Sequence, residues 1–159
     1  MEHNTANYRQ QAEELDEFLR THLPLARAAG VKVERYTGET LVASAPLDKN
    51  INDKGTAFGG SLYNICVIAA WGMTHLKSQE LGLKGDIVVA KGEINYLRPL
   101  TTNLVATSIS PGPELIKRAK DGFATRGKAI FTIKVEILDQ DNQACVEFEG
   151  KYAVLAGNE

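Results

Sequence analysis

The residues best suited to chemistry are Gly59 and Gly60, which open directly onto Ser61-Leu62-Tyr63-Asn64-Ile65-Cys66-Val67-Ile68-Ala69-Ala70-Trp71-Gly72-Met73, the most apolar helical run in the chain. Glycine lacks Cβ, so a ligand can come close to the backbone. The first-turn amides of a helix have no intrahelical partner and sit at the positive end of its dipole. Such a place receives a polarised oxygen. The same pair also suits a loop that merely needs positive φ, so the surroundings must decide between the two readings. Other reactive types are less well placed. Cys66 lies inside the apolar run with no histidine at helical spacing, which reads as an inert core thiol. His75 falls near the end of the same helix, where the dipole favours a partly charged imidazole. His3 and His22 are in the lead segment, and three scattered histidines make no metal set, so neither metal nor cofactor is expected. Asp48 and Asp53 read as capping or solvated acids of the loop before the glycines.

The elements that must position these residues follow from periodicity. Tyr8, Ala12, Leu15, Phe18 or Leu19 and Leu23 recur at helical spacing, with Asn4 or Thr5 as N-cap and Pro24 as the stop, giving an amphipathic lead helix over residues 1–22. Alternation in Val31 to Tyr36, a turn at Thr37-Gly38-Glu39 and a β-rich Thr40 to Ala45 predict a hairpin. After an irregular Leu47 to Phe58 comes the long helix, from about Gly60 to near Glu80, apolar nearly all round and so in need of a wrapping. The rest predicts four strands: Ile87 to Leu97, Leu104 to Ser110, Lys128 to Leu138 and Cys145 to Leu155, with Lys117-Arg118-Ala119-Lys120 as a solvated loop. Alternating polarity in the last two indicates antiparallel pairing with one wet face. The expected class is therefore α+β, an antiparallel sheet curled round one central helix.

Composition sets the outer bounds. A chain of 159 residues, 43% hydrophobic, buries one good core, so a single domain over 1–159 is expected. A net charge of −2 with interspersed signs points to no nucleic-acid partner. Two cysteines, no leader-like start and an apolar run too short for a bilayer predict a cytoplasmic protein without a membrane partner.

Asn52, Gly55, Phe58, Gly59 and Gly60 fall into a pattern similar to the Asn-x-x-Gly-x-x-His-Gly-Gly signature of acyl-CoA thioesterases, with Phe58 in place of the histidine. Thr56 to Tyr63 with Trp71-Gly72, and Asp86-Ile87-Val88-Val89 followed by Ile94-Asn95-Tyr96-Leu97-Arg98-Pro99, bring the match closer to one subgroup. The chain resembles the hot-dog fold superfamily, with residues 23–155 as the hot-dog core. Within it the chain resembles the thioesterase-like domain that also occurs fused to an acetyltransferase-like domain, and through it malonyl-acyl-carrier-protein (malonyl-ACP) decarboxylases. The resemblance implies a homodimer. Asn52, Phe58 and Gly60 of one chain would face the Asp86 to Val89 strand of the other, so that Val88 contacts substrate.

A thioesterase of this signature places a carboxylate one or two turns into the central helix. Here Asn64 to Ile68 contains none, and the position seven after Gly60 is Val67. Decarboxylating a malonyl thioester needs no base, because departing CO2 leaves its electrons in a thioester enolate; it needs oxyanion donors and a dry pocket. The implied assignment is Asn52 and Gly60 as catalytic, with Phe58, Gly59, Ser61, Tyr63, Trp71, Val88 and Arg98 as substrate-binding. Arg98, aided by Lys91, would meet the phosphate of a phosphopantetheine arm or an acidic carrier protein. The implied function is malonyl-ACP decarboxylase, giving acetyl-ACP for initiation of fatty acid synthesis. The alternative is an acyl-CoA or acyl-ACP thioesterase using Asp48 or Asp53, with a CoA thioester as the alternative partner. Asn50 competes with Asn52 for the pocket.

Overall fold

The computed structural model describes residues 2–157, with side chains from residue 5 onward. Helix α1 (Glu2–His22) packs beside the sheet that follows and docks through buried Ala12, Leu15 and Leu19, the amphipathic stripe expected of it. It is already helical at Glu2, so neither Asn4 nor Thr5 is its cap. The short helix α2 (Pro24–Ala29) follows at once and ends at Gly30, whose φ of 71° closes it in a left-handed turn.

Strands β1 (Lys32–Tyr36) and β2 (Thr40–Ala45) form the expected hairpin. A single 3-10 turn at Leu47–Lys49 and a loop bridged by Ile51 and Ala57 lead into helix α3 (Gly59–Glu80). Then come β3 (Gly85–Tyr96), β4 (Leu104–Ile109), helix α4 (Pro113–Arg126), β5 (Lys128–Leu138) and β6 (Ala144–Ala156). The six strands form one antiparallel sheet in the order β1-β2-β4-β5-β6-β3. Two elements differ from the sequence reading. Pro24 starts α2 as well as stopping α1, and the basic run Lys117 to Lys120 lies on α4 with Ala119 buried, not in a loop.

The sheet curls round α3 because one face of each inner strand is apolar. On β5, Ala129, Phe131, Ile133, Val135 and Ile137 are buried while Lys128, Lys134 and the other alternate residues face out. Against that face α3 sets Leu62, Ile65, Cys66, Ala69, Met73 and Leu76, all buried. The Tyr152 hydroxyl, on β6, donates to the Val67 carbonyl at 2.8 Å and ties the sheet to the middle of the helix. Gly72 is required where α1 and β2 converge, since a Cβ there would lie 2.9 Å from Leu41 Cδ2 and 3.1 Å from Leu15 Cδ2. At the far end of α3 the buried Lys77 ammonium donates to the Gly38 carbonyl and pairs with Glu80 at 3.2 Å. The Tyr36 hydroxyl also donates to Glu80, so the hairpin turn is fastened to the helix.

The two edges of the sheet are finished differently. At β1, Asp16 of α1 reaches across and its Oδ1 accepts the Val33 amide at 2.8 Å. At β3, twelve residues run along the other edge with Val88, Val89 and Tyr96 exposed and a bulge between Val89 and Lys91.

Candidate functional site

The chain reaches α3 through a loop whose geometry is set by two asparagines. Asn50, 3% exposed, donates from Nδ2 to the carbonyls of Ala29 at 2.9 Å and Pro46 at 2.7 Å, which uses both of its N–H groups on backbone. Asn52 is half-buried. Its Oδ1 accepts the amides of Lys54 at 2.8 Å and Thr56 at 3.0 Å, and its Nδ2 donates to Thr56 Oγ1 at 2.8 Å. One Nδ2 hydrogen of Asn52 is left over. Asn50 is thus committed to the scaffold, and Asn52 is held in a fixed orientation with a donor to spare.

Phe58 is the N-cap residue of α3, with extended backbone and no side-chain cap; its amide donates to the Asn50 carbonyl and its carbonyl accepts the Leu62 amide. The amides of Gly59, Gly60 and Ser61 consequently have no hydrogen-bond partner among the described residues, as the first turn of a helix demands. Two aromatic rings flank this turn. The Phe58 ring folds over Gly60, where a Cβ would meet Cε1 at 2.5 Å, yet the ring is 54% exposed. Tyr96, from the end of β3, lies against Gly59 and donates its hydroxyl to the Gly59 carbonyl at 2.9 Å. Partial burial pushes the Tyr96 phenol above its ordinary value, so it stays a donor. Nothing local in the sequence ties residue 96 to residue 59, and the strand end was not read as part of the site.

Deeper along α3, the Tyr63 ring stands edge-on to Phe148 with centroids 5.5 Å apart, and its hydroxyl rests against Gly92 of β3. Cys66 is fully buried, and desolvation pushes its thiol up to about 12, which removes it as a nucleophile. Trp71 lies about 16 Å along the helix axis from Gly60, at 1.5 Å per residue. There it stacks on Phe18 of α1 at 5.5 Å and on His75 at 5.0 Å. It belongs to the joint between α1 and α3 and not to the glycine turn. His75 is half-buried in that stack and desolvation lowers its pKa.

The remaining expected residues are dispersed. Val88 lies on the exposed edge strand, Arg98 is exposed just beyond β3, and the Lys91 ammonium is paired with Glu93 at 2.8 Å. Asp48 and Asp53 are exposed, the latter paired with Lys54 at 3.1 Å. Within one chain, then, Phe58, Gly59, Gly60, Ser61, Tyr63 and Tyr96 gather at the start of α3, with Asn52 in the loop that precedes it. Among the described residues, no group of three or more His, Cys, Asp or Glu side chains could hold a metal ion, and no helix is long and apolar enough to cross a membrane.

This architecture has close counterparts. A protein of unknown function from Chlorobaculum tepidum TLS is 37% identical, with 94% of this chain and 96% of that chain covered and a TM-score of 0.89. A protein described as a putative thioesterase from Shewanella oneidensis is 29% identical over 92% of this chain and 99% of that chain, with a TM-score of 0.80. A Haemophilus influenzae thioesterase shares the fold at 16% identity, with 93% of this chain and 92% of that chain covered and a TM-score of 0.70. The family described as YiiD_C, putative thioesterase, matches residues 12–156, which takes in α3, its glycine turn and every strand. A long central helix held in a six-stranded antiparallel sheet, unpaired amides at its glycine start and that family match together place this chain in the YiiD_C putative thioesterase family of hot-dog proteins.

Proposed function

We propose that this protein decarboxylates a malonyl thioester carried on the phosphopantetheine arm of an acyl carrier protein, releasing CO2 and leaving acetyl-ACP to initiate fatty acid synthesis. The observation that carries this reading is the composition of α3: from Gly59 to Gln79 it has no Asp or Glu, while the amides of its first turn have no partner. Water attack on a thioester calls for a carboxylate base or nucleophile at the bond. Loss of CO2 calls only for donors to the thioester oxygen. In the proposed step that oxygen accepts from the amides of Gly60 and Ser61. The bond between the α-carbon and the carboxylate breaks, its electron pair enters the thioester as an enolate, and a solvent proton completes the acetyl group. One such donor lowers the barrier by about 3 to 4 kcal/mol. The spare Nδ2 hydrogen of Asn52 holds the carboxylate out of the thioester plane, where its bond overlaps the carbonyl π system. Being neutral, the amide does so without repelling the substrate.

The site is completed by a second copy. The unpaired β3 edge with exposed Val88, Val89, Tyr96 and Leu97 supports a homodimer in which two such edges meet. Val88 of one chain then closes the turn of the other, and exposed Arg98 meets the phosphate of the arm or an acidic carrier surface. The second reading, hydrolysis of an acyl-CoA or acyl-ACP, is favoured by the family to which the chain belongs. It must draw its carboxylate from outside α3, from Asp48 or Asp53. The deciding experiment follows malonyl-ACP by intact mass spectrometry. Conversion to acetyl-ACP, lost in Asn52→Ala, supports decarboxylation; release of unacylated carrier, lost in the Asp48→Ala/Asp53→Ala double variant, supports hydrolysis instead.

A further inference from the structure

The polar side chains of α3 are not treated alike. Toward its C-terminal end each one with buried polar atoms is satisfied within the chain. Thr74 Oγ1 donates to the Ala70 carbonyl at 2.9 Å, Ser78 Oγ to the Thr74 carbonyl at 2.7 Å, and Lys77 binds Gly38 and Glu80. In the first two turns the Ser61 hydroxyl and the Asn64 carboxamide, both on half-buried residues, make no hydrogen bond among the described residues and keep their polar atoms open to solvent, ready for a ligand. Asn64 is the more telling of the two. It lies four residues past Gly60, about 6 Å deeper on the same face, and helical Cβ bonds lean toward the N-terminus, so its side chain leaves the helix toward the turn that carries the free amides. The same stripe continues with Val67 and Trp71, apolar and half-buried, so a carboxamide there has no helical purpose, since leucine would serve the helix better.

We propose that Asn64 is a specificity-determining residue of this site: it recognises an oxygen on the third carbon of a short acyl group whose thioester oxygen is held by the first-turn amides. This deepens the proposed function and rests on it for the placement of the thioester. An acyl group with a carboxylate or ketone two bonds beyond its thioester carbon satisfies both the turn and Asn64. A saturated chain of the same length leaves the carboxamide desolvated and unpaired, which a site built for a hydrogen bond penalises.

The test measures binding, apart from turnover, using carrier protein loaded with stable amide analogues in which NH replaces the thioester sulfur. Malonyl, acetoacetyl and butyryl analogues are titrated by calorimetry into the wild type and into Asn64→Leu, whose fold is checked by circular dichroism. The wild type is expected to favour the malonyl analogue over butyryl by at least tenfold, the effect of one hydrogen bond to a charged group. Asn64→Leu should cut that preference by about tenfold, leaving only what Asn52 contributes, while keeping butyryl affinity. Asn64→Asp, nearly isosteric, should reject malonyl further by charge repulsion but still accept acetoacetyl less poorly than malonyl. An Asn64→Leu variant that keeps the malonyl preference, or a wild type without one, overturns the inference. Failure of the proposed function is read separately, as an unchanged malonyl-ACP mass.

Discussion

Substituting Asn50 by alanine separates scaffold from chemistry in the loop before α3. Asn50 is buried and gives both Nδ2 hydrogens to backbone carbonyls, those of Ala29 at the end of α2 and Pro46 at the start of the 3-10 turn. Alanine removes the side-chain donor from both carbonyls. Each such loss costs about 1 to 3 kcal/mol when the acceptor is fully buried. Ala29 and Pro46 are only half-buried, so water recovers part of it and the sum falls at about 2 to 3 kcal/mol. For a chain of this size that lowers Tm by about 4 to 12 °C. Asn52→Ala removes hydrogen bonds to Lys54 and Thr56 in an exposed loop and should cost below about 1 kcal/mol. Urea titration of the two variants, read as a midpoint shift at constant slope, gives both numbers. Malonyl-ACP turnover well below either midpoint should survive in Asn50→Ala and vanish in Asn52→Ala. An Asn50→Ala variant within about 0.5 kcal/mol of the wild type would refute the argument that this side chain holds α2 to the loop.

Gly60→Ala should fold normally, because the half-exposed Phe58 ring can swing away from the new Cβ, yet turnover should drop on the order of a hundredfold as the methyl crowds the carbonyl position; unaltered turnover would remove Gly60 from the site. Burial raises the Cys66 thiol to about 12 and also raises the Tyr36 and Tyr152 phenols, so the folded chain keeps protons that the unfolded chain gives up. Stability should therefore fall as pH rises past 9, the ordinary thiol value, by up to about 1.4 kcal/mol per pH unit per group, and urea midpoints from pH 8 to 11 measure it. His75 has the opposite dependence, since its folded pKa lies below 6.5: the unfolded chain takes up the proton first, and stability is lost as pH falls below that value. His75→Phe, which keeps the stack on Trp71, should flatten the acid limb of the stability profile, and an unchanged limb would assign it to other groups. Val89→Lys should yield monomers by analytical ultracentrifugation and reduce turnover with them, whereas a wild type that sediments as a monomer would refute the dimer.

Where periodicity was strong, the fold was legible. Lys128 to Leu138 alternates through its whole length and is β5 to the residue, and the unbroken apolar run after Gly60 is α3 within one residue of its start. The misses have local causes. In α4 the apolar positions Ile116, Ala119 and Phe123 do recur at helical spacing, but Pro111-Gly112-Pro113 and the basic run dominate the composition of that stretch. Strand order was hidden because β3 crosses to the far edge beside β6, a long-range pairing that no window reports. The site divides in the same way. The free amides of Gly59 to Ser61 follow from a glycine start to a helix. The choice between Asn50 and Asn52 depends on carbonyls delivered by α2 and the 3-10 turn. The Tyr96 hydroxyl on Gly59 depends on where β3 ends, and Trp71 was drawn away by Phe18, whose docking belongs to α1.

The unequal edges of the sheet set an upper limit on growth. A ribbon open at both sides propagates, each added copy offering a new side to the next, and the product is a filament. Here the Asp16 carboxylate occupies the Val33 amide at β1, so strand addition has one available terminus per chain, the β3 side. Once two such termini have met, neither copy has another to offer. In the proposed dimer, growth by this route would stop at two whatever the concentration, and freeing the β1 side by releasing Asp16 from Val33 and Tyr8 from Tyr36 would favour chain growth instead.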